Sequence, residues 1–288
     1  MQNLKTIEDE LVLTKTVKAL VQSYEEIAIM RMQKIRASVE STRKFIEKVY
    51  PIFVEVKAVY RASVIRALNK SEDERYVFST LNKNGRSVYI LLTPNDRLVG
   101  DIGQKVYREY VKAIENVNGD LIVIGRLGRK LMNQSFRGYK FRYYDMPGPR
   151  ENKQILEIVD FILNYQNVEL FYGKFQNLLN QIGFHDNLTG DSLVGGGEQV
   201  VPKHRYLFEP SIERVLNFFE VQIFISLFKQ KLAESELAKL GSRITAMEAA
   251  TKNTETNMAR LEKERRNLMH QIDNKKQLER LSGISLWG

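Results

Sequence analysis

The sequence predicts an α/β protein in which two long helices flank a small domain built on a mainly parallel sheet. Three observations predict it. Between Leu237 and Ile272 a three-then-four spacing repeats without a slip, through Leu237, Leu240, Ile244, Met247, Thr251, Thr254, Met258, Leu261, Arg265, Leu268 and Ile272, which is a coiled-coil seam. A second helical period occupies the first 70 residues. Every run that reads as a strand lies between the two, alternating with helical patterns, and that alternation favours parallel pairing.

The C-terminal helix is the most legible element. Eight of the eleven seam positions are apolar, no proline lies beyond Pro210, and charged residues fill the other faces. One helix from about Ser211 to Ser282 accounts for this, and at ~1.5 Å per residue it is roughly 105 Å long. Gly241 is its weak point, at ~1 kcal/mol relative to alanine, or else a place where the first helix approaches closely. The seam admits two readings: an ordinary dimerisation helix, or a shaft surrounded by other protein. Thr251, Thr254 and Arg265 weaken a zipper while fixing register, which favours the shaft.

In the N-terminal arm, from Leu4 to about Asn69, Leu4, Ile7 and Leu11 share a stripe that Val17, Val21, Tyr24, Ala28, Arg31, Ile35 and Ser38 continue. Pro51 lies inside this arm and predicts a kink or break near Tyr50. In the middle segment, Tyr76–Leu81 and Ser87–Thr93 flank Lys83-Asn84-Gly85 and read as a hairpin. A helix follows at Lys105–Asn116, then a strand at Leu121–Ile124 and another at Phe141–Tyr144. Gln154–Tyr165 reads as a helix, Val168–Tyr172 as a strand and Gln199–Leu207 as a last extended piece. Asp186–Glu198, with three consecutive glycines, reads as a mobile loop.

Composition narrows the function by exclusion. Net charge is +9, and the basic excess sits in residues 1–70 and 205–288, on the helices. Mixed signs along those faces favour an acidic protein surface over a phosphate backbone. No cysteine occurs, so disulfides and thiolate metal sites are excluded. The acidic start is unlike a signal peptide, and no run of about 18 apolar residues would cross a membrane. His185, His204 and His270 stand at no metal-ligand spacing. Gly125-Arg126-Leu127-Gly128 follows a strand but lacks the further residues of a dinucleotide loop or P-loop, so a strand-to-helix turn explains it. No catalytic residue, cofactor or metal is expected.

Read together, several segments resemble one family. Arg243-Ile244-Thr245-Ala246-Met247-Glu248-Ala249-Ala250-Thr251-Lys252-Asn253 resembles the signature of the gamma subunit of F-type ATP synthases, Arg-x-x-Ala-Met-x-Ala-Ala-Thr-x-Asn. In the same order, Met30–Arg36 resembles the basic stretch of its first helix, and Asp96-Arg97-Leu98-Val99-Gly100 its Asp-x-Gly-Leu-Cys-Gly-Gly loop. Ile124–Gly128 resembles its Ile-Gly-x-x-Gly turn, Lys174–Asn177 its Lys-Phe-x-Asn strand end, and Tyr206–Pro210 its lead into the last helix. There are departures: the loop glycine between Arg97 and Leu98 is missing, Asp101 replaces the second of the paired glycines, and the chain ends in a bulkier segment containing Trp287. The family's Arg-Gln-x-x-Ile-Thr-x-Glu stretch becomes His270–Gln277.

The resemblance implies an antiparallel coiled coil of the terminal helices (1–70 and 209–288) with an inserted Rossmann-like α/β foot domain (71–208). It implies a non-catalytic rotor shaft, one copy per ring of α- and β-type subunits, with an epsilon-like subunit and a membrane ion ring at the foot and no nucleic acid. The complex would lie peripherally on the cytoplasmic face of the membrane. Ring contacts would fall to Ile27, Met30, Arg31, Lys34 and Arg36 on the first helix and to Arg243, Met247, His270, Gln271, Asn274 and Glu279 on the last. The foot-domain motif would comprise Asp96, Arg97, Gly100, Gly125, Gly128, Lys174 and Asn177. Two alternatives stand beside this: the shaft of a specialised F-type-like ATPase uncoupled from ion transport, and a basic coiled-coil scaffold that binds nucleic acid through the aromatic-basic run Arg137–Tyr144.

Overall fold

The structure is a computed structural model that describes residues 3–68, 83–96, 98–115, 119–136, 138–148, 151–188 and 207–284. The elements run α1 (Leu4–Leu68), β1 (Ser87–Leu92), α2 (Ile102–Ile114), β2 (Asp120–Ile124), α3 (Arg126–Ser135), β3 (Arg142–Tyr144), α4 (Asn152–Ile162), β4 (Asn167–Phe175), β5 (Gln181–Asn187) and α5 (Ile212–Ile284). The chain divides into two compact units: Met1–Met30 with Arg243–Gly288, and Arg31–Ser242.

In the first unit the two helical segments pack through Ile7, Leu11 and Leu261, with Leu268 against them. Lys18 Nζ meets Glu255 Oε1 at 2.8 Å. Partner numbers fall along α5 as they rise along α1, so the segments are antiparallel. The α5 seam is oriented as its spacing predicts as far as Leu268, whereas its last position, Ile272, is exposed. Ile244, Met247 and Leu261 are buried, Thr251, Thr254, Met258, Arg265 and Leu268 are half-buried, and most flanking positions face out.

The α1 stripe differs from its sequence reading. Buried and half-buried positions fall on Leu4, Ile7, Leu11, Thr14, Lys18, Val21, Glu25, Ala28, Met32, Ile35 and Val39. Val17, Tyr24, Arg31 and Ser38, assigned to the stripe from sequence, are instead exposed. Glu25 also lies on this seam, and Thr14 and Lys18 are accommodated there by polar outlets, Thr14 to the Glu10 carbonyl at 2.7 Å and Lys18 to Glu255. The apolar residues beside it remain outside. Pro51 does not break the helix: α1 continues to Leu68, with Phe53 and Val56 buried against Leu216 and Ile223 of α5. Burial on both sides of the proline outweighs the one backbone hydrogen bond it forfeits.

In the second unit the sheet has the order β3-β2-β1-β4-β5, with the first four strands parallel and β5 antiparallel to β4. The expected hairpin partner Tyr76–Leu81 lies outside the described residues. β1 itself has both edges taken, by β2 and β4, so it is a central strand rather than one arm of a hairpin. Of the extended piece Gln199–Leu207, only Leu207 is described. The segment read as a loop from Asp186 begins inside β5, which extends to Asn187.

Alternating side chains of the central strands feed two cores. Leu91, Val123 and Phe171 face α2, where Ile102, Val106 and Tyr110 are buried with Met132 of α3. Ile90, Leu92, Ile122, Ile124, Leu170 and Tyr172 face α4 and a stretch of α5, with Phe224, Ile225, Phe228 and Leu232 buried among them. The α/β domain is therefore completed by the long C-terminal helix. Ala238, one turn and a half beyond Leu232, belongs to the core on the α2 side. α5 thus crosses the C-terminal edge of the sheet from one face to the other.

Candidate coupling site

In a parallel sheet whose order reverses between β1 and β4, ligands ordinarily bind in the crevice beyond the carboxyl ends of those two strands. Here that crevice is lined by Leu92 at the end of β1, Pro94 just after it, Ile102 and Gly103 of α2, and Gly173 of β4, and it is closed by Ser235, Glu236 and Lys239 of α5. Lys239 Nζ lies 3.1 Å from Asp96 Oδ2 in the β1–α2 loop and 2.6 Å from Glu236 Oε2. The place where such a fold holds a nucleotide is occupied by the chain's own helix.

The second place where a phosphate would sit is the start of α3, after Gly125-Arg126-Leu127-Gly128. Its amides are engaged within the fold. Arg126 N–H donates to Asn95 Oδ1 at 3.1 Å, Leu127 N–H to the Pro94 carbonyl at 3.2 Å and Gly128 N–H to Thr93 Oγ1 at 2.8 Å. Gly125 has φ 102°, and a Cβ there would overlap the Thr93 carbonyl oxygen, so only glycine fits. The glycine motif is thus a packing device joining α3 to the end of β1.

The Asp96–Gly100 loop grips α5 a turn further on. Gly100 has φ 68°, and a Cβ on it would strike the Ser242 side chain and carbonyl. Ser242 Oγ donates to Asp101 Oδ1 at 3.3 Å, so the aspartate that departs from the family's glycine supplies a contact to the shaft helix. Leu98 sits at φ 56°, the left-handed region that glycine favours, at the position following the family glycine that is missing here. Arg97 lies outside the described residues.

On the other side of the crevice Lys231 Nζ bonds Asp186 Oδ2 at 2.6 Å and donates to Tyr172 Oη at 3.0 Å. Burial pulls the Lys231 pKa down, but these two partners outweigh it and leave it raised. Burial pushes the Tyr172 phenol up to about 12. Glu234, 4.0 Å from Lys231, has its carboxyl raised because loss of water outweighs the attraction of that ammonium. Gly241 does permit a close approach, but by the β4–β5 turn and not by α1: its absent Cβ would lie 2.9 Å from Gln181 Nε2 and 3.0 Å from Phe175 Cε2.

The other motif residues fall in the same region or on the helix surfaces. Lys174 Nζ stands 4.1 Å from the Phe184 ring centroid. Asn177 Oδ1 accepts from the Leu179 and Asn180 amides at 3.0 and 2.7 Å, closing the β4–β5 turn. Ile27 and Met30 are exposed, as are Arg31, Lys34 and Arg36, the last lying 6.0 Å from the Phe175 ring centroid. On α5, Arg243 and Met247 are buried, while His270, Gln271, Asn274 and Glu279 face out, with Glu279 4.0 Å from Lys275. In the run Arg137–Tyr144 the described aromatic-basic contacts are internal: Arg142 lies 4.0 Å from the Phe161 ring centroid, and Tyr143 Oη donates to Asp145 at 2.6 Å.

Sequence reading missed one surface. Leu13, Val17, Leu20, Tyr24 and Ile27 repeat a four-three-four-three spacing on α1, and all five are between 39% and 64% exposed. They form a second seam, beside the one that faces α5. The signal was present in the spacing, but it was merged with the inner stripe.

These features define a class: a helical shaft carrying an α/β domain whose ligand crevice is filled by the shaft. A family model described as ATP synthase matches residues 3–268. ATP synthase gamma chains are similar along nearly the whole length. That of Rickettsia akari is 22% identical over 91% of both chains, and that of Desulforudis audaxviator is 24% identical over 94% of both. Among solved structures, a chain from the central stalk and c-ring of Tetrahymena thermophila mitochondrial ATP synthase aligns with a TM-score of 0.57 at 18% identity, covering 80% of this chain and 99% of its own. The chain belongs to the ATP synthase gamma-chain family, the non-catalytic rotor shaft of the enzyme.

Proposed function

We propose that this chain turns inside a ring of α- and β-type subunits, one copy per ring, and couples its rotation to ATP synthesis or hydrolysis there. The observation that carries the proposal is the second seam of α1. Five large apolar side chains at regular spacing stay in water in the isolated chain, and a surface of this kind marks a protein partner. Beyond the seam's C-terminal end on α1, the exposed cations Arg31, Lys34 and Arg36 add a long-range attraction to acidic surfaces that salt weakens. On α5, His270, Gln271, Asn274 and Glu279 extend the contact set, while the buried Arg243 and Met247 hold the helix in register. The α/β domain, with its Asp96, Gly100, Gly125, Gly128, Lys174 and Asn177 motif positions, serves as the foot, facing an epsilon-like subunit and a membrane ion ring.

The tripartite organisation, shaft helices over 1–70 and 209–288 with the foot at 71–208, is the division of labour this function requires. Among the described residues no helix is long and apolar enough to cross a membrane, so attachment on the cytoplasmic face would run through the foot's partners. The test is purification of the tagged chain from its own cells, with ATP hydrolysis and subunit stoichiometry measured on the product. One copy with three pairs of larger subunits and ATP hydrolysis is the expected result. Isolation of a free homodimer without ATPase activity contradicts it. Leu20→Glu places a charge on the second seam and is expected to leave the chain folded while abolishing co-purification.

A further inference from the structure

We propose that Lys239 is the positioning residue that keys the α/β domain to the shaft helix, so that torque passes between them through the Lys239–Asp96 ion pair. The inference rests on the rotor function. A smooth helix lying in a groove can turn about its own axis; rotation is resisted where side chains from opposite walls lock onto it. Among the described residues, side-chain ion pairs that do this between α5 and the domain include Lys231 to Asp186 on β5 and Lys239 to Asp96 after β1.

Of the two, Lys239 is the better key. Its side chain is 11% exposed, and it rises in the crevice between β1 and β4, where it fills the space a ligand would take. Glu236, one turn back on the same helix, holds the ammonium from the helix side at 2.6 Å, so the lysine is fixed to α5 before it reaches Asp96. Immediately beyond, Ser242 engages Asp101 and fits against Gly100, so the same loop is held at two points about one turn apart. A charge clamped by carboxylates on both sides resists lateral displacement more stiffly than an apolar contact, which slides with little loss.

The experiment uses the purified complex. Because the chain has no cysteine, a single exposed one at Lys112→Cys on α2 attaches a bead to the α/β domain. The torque at which the bead slips during ATP hydrolysis is then measured. Lys239→Met removes this ion pair while leaving the apolar core around Phe228 in place, so the slip torque should fall below that of the parent while the unloaded hydrolysis rate is kept. Asp96→Asn, which alters the more exposed partner, should do the same and decides the matter alone if Lys239→Met fails to assemble. Unchanged slip torque in Asp96→Asn and Lys239→Met overturns the inference while leaving the rotor function standing. A parent bead that never turns overturns the rotor function itself.

Discussion

Phe228→Ala tests whether the α/β domain and the shaft helix are one folding unit. Phe228 of α5 is fully buried, in a core it shares with Ile90, Leu92, Ile122, Leu170 and Tyr172 of the sheet and with Ile158 and Ile162 of α4. Truncating a buried aromatic to alanine costs about 3–5 kcal/mol, made up of lost transfer energy and the cavity left behind. That corresponds to roughly two to three and a half orders of magnitude in the folded-to-unfolded ratio. Phe218, ten residues earlier on the same helix and 61% exposed, serves as the control, with an expected cost within about 0.5 kcal/mol. Denaturant unfolding gives the free energies, and amide hydrogen exchange over α5 and over β1 and β4 shows whether helix and sheet open together. Loss of protection in both at once, with the full penalty, is the expected outcome. A cost below about 1 kcal/mol, or sheet amides that stay protected while the helix exchanges, would refute the shared core.

Leu98→Gly removes a left-handed leucine that costs about 1–2 kcal/mol and adds back about 0.5–1 kcal/mol of chain entropy. Thermal unfolding should therefore show a small net gain, and a loss would mean that the Leu98 side chain contributes more than its backbone strain takes away. Glu234→Gln tests the half-buried carboxyl. Its folded pKa is raised by burial, so its favourable contribution is full below the ordinary glutamate value of 4.5 and is lost as pH rises through the folded pKa. The variant should thus gain stability relative to the parent as pH climbs from 4 towards neutrality, and a difference that is flat with pH would contradict the burial argument.

The long helices and the sheet were legible because each rests on a period that burial then selects. The α5 seam shows this at Ile244, Met247 and Leu261, and the parallel sheet follows from the alternation of short apolar runs with helices. The inner stripe of α1 was not, because Val17, Leu20 and Tyr24 out-compete Lys18 and Glu25 on any hydrophobicity count, and only the ion pair to Glu255 shows why lysine lies inside. β5 escaped notice because Gly183, His185, Asp186 and Asn187 have weak strand preference, and pairing with β4 supplies what the sequence lacks. Arg243 stood out as a signature residue although it is buried, whereas Lys239 carried no signal at all: a lysine on a long charged helix reads as solvated until the crevice around it is seen.

The central claim, that this chain is a shaft turning within a catalytic ring, is tested most directly by locking it there. Tyr24→Cys on the exposed seam of the cysteine-free chain carries a reducible crosslinker in the assembled complex, and ATP hydrolysis is followed before and after reduction. The account predicts a crosslink to a ring subunit, hydrolysis reduced to background while the tether holds, and recovery on reduction. Full hydrolysis by the tethered complex would contradict it.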